Sequence, residues 1–260
     1  MINHVITHRV VCIFLWTALW MFIVSHPACR SAFAEETATA PPGMAALLAR
    51  ADAMRVPFRE GRVHVELLTL DGDRVTGGSA FEVLVSKGGA SRVEMLDSRF
   101  RGQRALLSDR GLWLYVPTSR RVIRLTPLQR LMGNANYGDI GRMRWSDDYR
   151  IVQTTPATDR SGVWVFCLEA KAPTAVYPKV LLWLEDGAGR PLRADFFMAS
   201  GKLLKSAQYD PPETLNGREV IDTITFTGGL STGVRTRMVM GAFQETTLPE
   251  HLFTVGGLSR

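Results

Sequence analysis

The chain reads VWVFCL at residues 163–168, VLLWL at residues 180–184 and LWLYV at residues 112–116. Each run is apolar at every position and too short for an ordinary helix, which indicates β-strands that are covered on both faces. We hypothesise that one face packs on helices while the other lines an apolar interior with room for a ligand. The pattern leaves a thick sandwich core open as the alternative. In either case the core is built on a sheet.

Shorter segments with alternating apolar residues surround these runs, and most are flanked by Gly, Pro, Asn or Asp, which favour turns. We expect further strands at residues 61–70, 79–86, 91–97, 103–108, 121–125, 150–155, 192–199, 203–209, 219–227 and 234–243. A sheet of a dozen or so strands does not stay flat. The sequence therefore predicts a mainly β protein with a large curled antiparallel sheet or barrel.

Two short segments have the apolar spacing of helices instead. The first covers residues 44–54, with Met44, Leu47, Leu48, Ala51 and Met54 on one side, and Pro57 ends it. The second is predicted over residues 127–132 and precedes the glycine-flanked stretch GNANYG at residues 133–138. We interpret residues 127–137 as a candidate lid, and the alternative is an ordinary crossover connection. The lid residues are Leu128, Leu131, Met132 and Tyr137.

The N-terminus is typical of an exported protein. An apolar run over residues 10–24 is shorter than the roughly 20 residues that span a bilayer, and Ala32 and Ala34 fit a cleavage site. We expect a signal peptide at residues 1–34 with a cut after Ala34, a flexible tether at 35–43 and one domain at 44–260. Cleavage leaves 29 basic and 25 acidic residues, a net charge of +4. This small, scattered excess does not predict nucleic-acid binding.

The sequence offers little for catalysis or metal binding. Beyond the expected leader the only histidines are His64 and His251, in no metal-binding motif. The GLSTG at residues 229–233 has the form of a nucleophile elbow around Ser231, but an alternating strand follows it where the elbow needs a helix. We predict a protein that is not an enzyme, with no catalytic residue, metal or cofactor.

Arginines gather near the strand ends and the candidate lid. Guanidinium groups bind phosphate or carboxylate, so these side chains either meet an anionic headgroup or are simply solvated. The arginines in question are Arg99, Arg101, Arg104, Arg120, Arg121, Arg124, Arg142 and Arg144.

Seven short pieces occur in a distinctive order along the chain. They are RALL at 104–107, LWLYVP at 112–117, RRVIRL at 120–125, LMG at 131–133, SDDY at 146–149, SGKLLK at 200–205 and LPEHLFT at 248–254. In this order they resemble the outer-membrane lipoprotein-sorting family, the LolA-like periplasmic carriers. The similarity covers nearly the whole chain from about residue 47.

This resemblance implies a curled, incomplete antiparallel β-barrel whose concave apolar face is covered by short helices. It also implies a periplasmic carrier that binds acyl chains of a lipid or lipoprotein. The carrier would exchange them with a membrane partner, such as a transporter of the resistance-nodulation-division type. The alternative is an envelope sensor or regulatory interaction module that uses the same cavity or an exposed edge strand. The candidate apolar lining is Trp113, Tyr115, Trp164, Phe166 and Trp183, although alternation lets only one face of each strand point inward.

Overall fold

The computed structural model describes residues 43–141, 143–229 and 233–260. The expected signal peptide, nearly all of the tether, Arg142 and Ser231 lie outside the described residues. Within these ranges, none of the helices has the length and apolar character needed to cross a membrane.

The described chain forms strands and a few short helices. The strands are β1 (Gly61–Asp71), β2 (Arg74–Val85), β3 (Ser91–Met95), β4 (Arg104–Ser108), β5 (Gly111–Val116), β6 (Arg121–Leu125), β7 (Arg130–Met132), β8 (Ala135–Asn136), β9 (Tyr149–Pro156), β10 (Val163–Ala170), β11 (Lys179–Glu185), β12 (Pro191–Phe197), β13 (Leu203–Tyr209), β14 (Glu213–Leu215), β15 (Arg218–Val220), β16 (Thr223–Gly228) and β17 (Val234–Glu245). The α-helices are α1 (Met44–Arg55), α2 (Tyr137–Ile140) and α3 (Trp145–Asp148), and 3-10 helices cover Ser98–Phe100, Glu250–Phe253 and Val255–Ser259.

Thirteen of these strands form one antiparallel sheet in the order β6-β5-β4-β3-β2-β1-β17-β16-β13-β12-β11-β10-β9. The sheet thus consists of two meanders that meet where β1 pairs with β17. It curls but does not close, because β6 and β9 remain its two ends. The predicted mainly β, curled and incomplete antiparallel sheet is confirmed.

One face of the sheet, here called the inner face, carries the main core. Residues that are paired across neighbouring strands point to the same face, so they form apolar rows. One row runs through Phe243, Val63, Val83, Val93, Ala105, Leu114 and Ile123. A second row runs through Phe166, Leu182, Ala194, Ala207 and Phe226. Both rows contribute to a single core cluster, around which the sheet curls.

Helix α1 packs on this same inner face. Its buried side chains Met44, Leu47, Leu48, Ala51 and Met54 belong to the main core. The hypothesis that helices cover one face while the apolar interior lies on the other is therefore wrong, because both share the inner face. The strands are apolar on both sides since the outer face of β9 to β11 has a smaller cluster of its own. That cluster contains Val152, Val163, Val165, Cys167, Leu181 and Trp183.

Two segments differ from the sequence prediction. Residues 127–132 do not form a helix: they contain a turn and then β7, which pairs with β8 around Gly133. The φ of +52° at Gly133 suits a tight turn and not a helix. The strand predicted at residues 219–227 is divided into β15 and β16. It is interrupted where the Ile221 amide donates to the carbonyl of Met54 in α1, 2.8 Å away.

Asp52 joins α1 to α3. Its carboxylate is buried and accepts hydrogen bonds from the amides of Trp145 and Ser146, at 2.8 and 2.7 Å, and from the Ser146 hydroxyl at 2.6 Å. The amides at the start of a helix have no partner within the helix, so an acidic side chain there stabilises it. Asp52 therefore caps α3 from another element.

We expect Asp52→Ala to lower the free energy of unfolding by about 1–2 kcal/mol, the usual range for loss of such a cap. Urea denaturation measures the change. Asp147→Ala is the matched control, since Asp147 is an exposed acidic residue in the first turn of the same helix. Equal losses in the two variants would contradict the capping role.

Candidate functional site

Two cavities lie on the inner face, on either side of α2. The mouth cavity has a volume of about 570 Å³ and opens to solvent. Its lining includes Phe81, Met95, Arg99, Leu131, Met132 and Tyr137. The inner void is much smaller, about 40 Å³. Its lining is mainly apolar and includes Phe58, Val63, Val65, Val83, Ile140 and Phe243.

Helix α2 contributes to the walls of both cavities. Tyr137, at its start, lines the mouth cavity, while Ile140, at its end, lines the inner void. On the sheet below, Phe81 and Val83 are two residues apart on β2 and point to the same face. The mouth cavity is lined by polar groups, among them Asp97, Ser98 and Gln103, as well as by apolar side chains. The two cavities therefore lie along one trough of the inner face, which α2 interrupts. A displacement of α2 would join them.

A buried polar cluster holds α2 in this position; we call Asp139, Tyr177 and Lys205 the latch. Asp139 accepts a hydrogen bond of 2.6 Å from the Tyr177 hydroxyl and forms an ion pair with the Lys205 ammonium. The side chains of Lys205 and Asp139 are only 4% and 0% exposed. The Lys205 Nζ lies 4.4 Å from the ring centroid of Phe226, a cation–π contact.

Burial dominates the electrostatics of the latch. It lowers the pKa of the Lys205 ammonium, while the negative charge of Asp139 acts in the opposite direction. The pKa of the Tyr177 hydroxyl is raised well above its ordinary value, first by burial and then by Asp139. Tyr177 therefore remains a neutral hydrogen-bond donor. The latch is a single ion pair in a low-dielectric interior.

The β7–β8 turn is seated on β17. The Asn134 amide donates to the Thr236 hydroxyl at 2.8 Å, and its side-chain amide donates to the Val234 carbonyl at 2.9 Å. The Asn134 carbonyl accepts from Lys205 Nζ at 2.9 Å. A Cβ at Gly133 would lie 2.2 Å from the Thr236 hydroxyl oxygen, so the close approach requires glycine.

The structure brings the predicted lid residues together. Leu128, Leu131 and Met132 are half-buried and pack against the main core, and Tyr137 is buried within it. The candidate lid is a two-stranded turn followed by the short helix α2. Whether it opens stays a prediction.

The five predicted lining residues are divided between the two faces. Trp164 and Phe166 point to the inner face with the main core, whereas Trp183 belongs to the outer cluster. Trp113 and Tyr115 also point outward, since they alternate with Leu112 and Leu114 of the main core. The guanidinium groups of Arg124 and Arg104 lie over their rings, at 5.8 and 6.0 Å. Contact with a ligand stays a prediction for each of the five.

The arginines are dispersed. Arg99 lines the mouth cavity, whereas Arg104 donates to the carbonyls of Leu258 and Arg260 at 3.0 and 2.9 Å. Arg120, Arg121 and Arg124 lie at the β5–β6 hairpin, and Arg144 donates to the Phe58 carbonyl at 3.4 Å. Only Arg99 of this set lines the mouth cavity among the described residues.

Sequence reasoning missed the latch. Lys205 shares a face of β13 with Ala207 and Tyr209, which are buried. A lysine at an apolar position of an alternating strand is the signal that identifies such a residue. Asp139 and Tyr177 gave no comparable signal, because both lie outside the long strands.

Comparison with known proteins places these features in a family. A family model described as an uncharacterized protein matches residues 93–260. A search of curated proteins found no match.

Several solved structures share the fold. A LolA superfamily protein from Nitrosomonas europaea is 30% identical, with a TM-score of 0.72 over 81% of this chain and 97% of that one. An outer-membrane lipoprotein-sorting protein domain from Vibrio parahaemolyticus is 19% identical, with a TM-score of 0.64 over 83% and 98% of the two chains. A DUF1329 family protein from Desulfovibrio piger is 18% identical, with a TM-score of 0.63 over 82% and 97%. The chain, with its curled open sheet and the helices that pack on its inner face, belongs to the LolA superfamily.

Proposed function

We propose that the protein is a periplasmic carrier that binds the acyl chains of a lipid or lipoprotein and exchanges them with a membrane partner. The observation that carries this proposal is the trough on the inner face, in which α2 separates the large mouth cavity from the small, mainly apolar inner void. Membership of the LolA superfamily supports it. The protein acts by binding, without catalysis.

The volumes define how the ligand enters. Ligand pockets usually measure about 300–1,000 Å³, so the mouth cavity is large enough and the inner void is not. We infer that the acyl chain first occupies the mouth cavity against Leu131, Met132 and Tyr137. It then extends along β2 as α2 moves aside. Arg99 is placed to pair with an anionic headgroup at the entrance.

The energies are consistent with this order of events. Each CH₂ group removed from water contributes about 0.8 kcal/mol, so a long acyl chain offers on the order of 10 kcal/mol before any costs. Deleting one partner of a buried ion pair costs about 3–5 kcal/mol because it leaves the other charge buried. Opening the latch to water leaves neither charge buried, so it should cost no more than this. Chain burial therefore exceeds the cost of opening the latch. A membrane competes for the same chain and returns the carrier to its closed form.

The test is native mass spectrometry of the full-length chain, expressed with its own N-terminus and purified from the periplasm of a Gram-negative host without detergent. Lipid extraction then identifies the cargo. We expect bound lipid or acylated protein on the wild type. A mass without lipid in repeated preparations would show that the carrier proposal is wrong.

The matched variants are Met132→Asp and Met198→Asp. Met132 lines the mouth cavity, whereas Met198 is 40% exposed and lies outside it. A buried carboxylate opposes an acyl chain, so Met132→Asp is expected to lose the lipid while Met198→Asp retains it. If both variants lost the lipid, or if neither did, the mouth cavity would not be the lipid-binding site.

A further inference from the structure

Strand β6 forms one open end of the sheet. It pairs with β5 on one side, and within the described residues no backbone hydrogen bond reaches its other side. Such an edge presents a row of unpaired amide and carbonyl groups, which is a template for a further strand. The β6 edge therefore has the backbone chemistry to bind an extended peptide.

An apolar row of the inner face ends at this edge with an exposed side chain. The inner-face row that begins at Phe243 continues strand by strand to Leu114 and then Ile123. Every earlier member of the row is at most 9% exposed, whereas Ile123 is 43% exposed. An apolar side chain on an added strand would cover Ile123 and continue the row.

The same region has a strong positive charge. Residues 110–138 contain five arginines and no aspartate or glutamate; the arginines are Arg110, Arg120, Arg121, Arg124 and Arg130. None of the five forms an ion pair with another described residue. Two of them, Arg121 and Arg124, lie on β6 itself. The charge favours an acidic occupant of this edge over a neutral or basic one.

The positive charge of the arginines also distinguishes between three kinds of binding partner for the β6 edge. A second copy of the chain would place its arginines against these arginines, and like charges across strands are destabilising. An anionic membrane would satisfy the charges but not the unpaired backbone groups. An extended acidic polypeptide satisfies both, and we propose that β6 binds such a segment of a partner protein as an added strand.

The geometry specifies the sequence of this segment. Arg121 and Ile123 point to the inner face, and Val122 and Arg124 to the outer face. Residues opposite these four would be acidic, apolar, apolar and acidic in turn. This pattern reads the same in both directions, so it fits parallel and antiparallel addition alike. The proposal goes beyond lipid carriage and does not depend on it.

The first experiment uses synthetic peptides with the full-length chain. The probe is Thr-Glu-Val-Val-Glu-Thr, and the controls are Thr-Lys-Val-Val-Lys-Thr and Thr-Val-Glu-Glu-Val-Thr, which change the charge and the order. Titration gives the Kd, and amide hydrogen exchange reports on residues 121–125. We expect the probe alone to bind and to slow the exchange of alternate β6 amides. Binding of the lysine peptide, or no slowing by the probe, would overturn the proposal.

The second experiment reverses one charge. Arg121 makes no hydrogen bond or ion pair with another described side chain, so Arg121→Glu should leave the fold intact, as circular dichroism would show. We expect it to weaken binding of the probe by at least about tenfold. Binding should be restored by Thr-Lys-Val-Val-Glu-Thr if the peptide adds parallel to β6, or by Thr-Glu-Val-Val-Lys-Thr if it adds antiparallel. Arg74→Glu, at the exposed start of β2, is the control and should bind normally.

Vesicles of phosphatidylglycerol test whether the β6 edge binds an anionic membrane instead of a peptide. We expect Arg121→Glu and Arg74→Glu to bind them equally well. If Arg121→Glu abolishes vesicle binding while the probe leaves the β6 amides unprotected, the edge is a membrane contact and the proposal is wrong.

Discussion

Replacement of Lys205 with methionine is expected to lower the free energy of unfolding by about 3–5 kcal/mol, measured by urea denaturation. The variant leaves the carboxylate of Asp139 buried without its cation, and a buried unpaired charge is costly. The methionine is similar in length to the lysine stem, so packing against Phe226 is retained. The loss therefore reports the unpaired charge, together with the hydrogen bond from Lys205 to the Asn134 carbonyl, and not a cavity.

A second variant and a control separate this effect from general damage. The double variant Asp139→Asn/Lys205→Met removes both charges and keeps an acceptor for Tyr177, but the new amide nitrogen cannot accept from the Asn136 amide as the carboxylate does, so it should regain only part of the lost stability. Arg150→Met breaks an exposed ion pair with Glu169 and should cost less than about 1 kcal/mol. If Lys205→Met were no more harmful than Arg150→Met, the latch would contribute nothing to the closed state.

Gly138→Ala is expected to displace α2 and to lower the free energy of unfolding by about 1–3 kcal/mol, the usual cost of overpacking. A Cβ at Gly138 would lie 2.3 Å from Cγ1 of Val176, which is buried. Because α2 separates the mouth cavity from the inner void, the variant should also expose the trough. A hydrophobic dye is expected to bind Gly138→Ala more strongly than the wild type.

Removal of the clashing side chain tests the cause. In a Val176→Ala background, Gly138→Ala should cost less than it does in the wild type, since the methyl groups of Val176 are gone. Gly256→Ala is the matched control, because nothing lies within 4 Å of a Cβ at that position. An increase in dye binding that persists in the Val176→Ala background would show that the contact is not what holds α2.

Much of the sheet could be predicted because its rules are local. The strands predicted at residues 121–125 and 203–209 agree with β6 and β13 to the residue, and the apolar run at residues 180–184 lies within β11. Alternation and turn residues fix such boundaries without tertiary information. Helix α1 was found for the same reason, since its apolar spacing is regular from Met44 to Met54.

The candidate site was less predictable because it depends on contacts between distant residues. Alternation defines two faces for a strand but does not say which is inside, so Trp164 and Trp183 could not be separated before the rows were known. The latch joins Asp139 to Lys205, 66 residues apart, through groups that local patterns treat as solvated. The segment at residues 127–132 was misread because its apolar spacing fits both a helix and a half-buried turn.

The pairing of β1 with β17 determines how the chain can reach its native state. These two strands are the seam between the two meanders, and they are formed by residues 61–71 and 234–245, at opposite ends of the domain. Each meander consists mainly of neighbouring strands that can pair early. The β1–β17 pairing can form only after β17, the last strand, is available. Such non-local pairing slows folding and leaves both β1 and β16 as exposed edges in the meantime. A chain truncated before residue 234 would therefore be left as two unjoined half-sheets prone to aggregation.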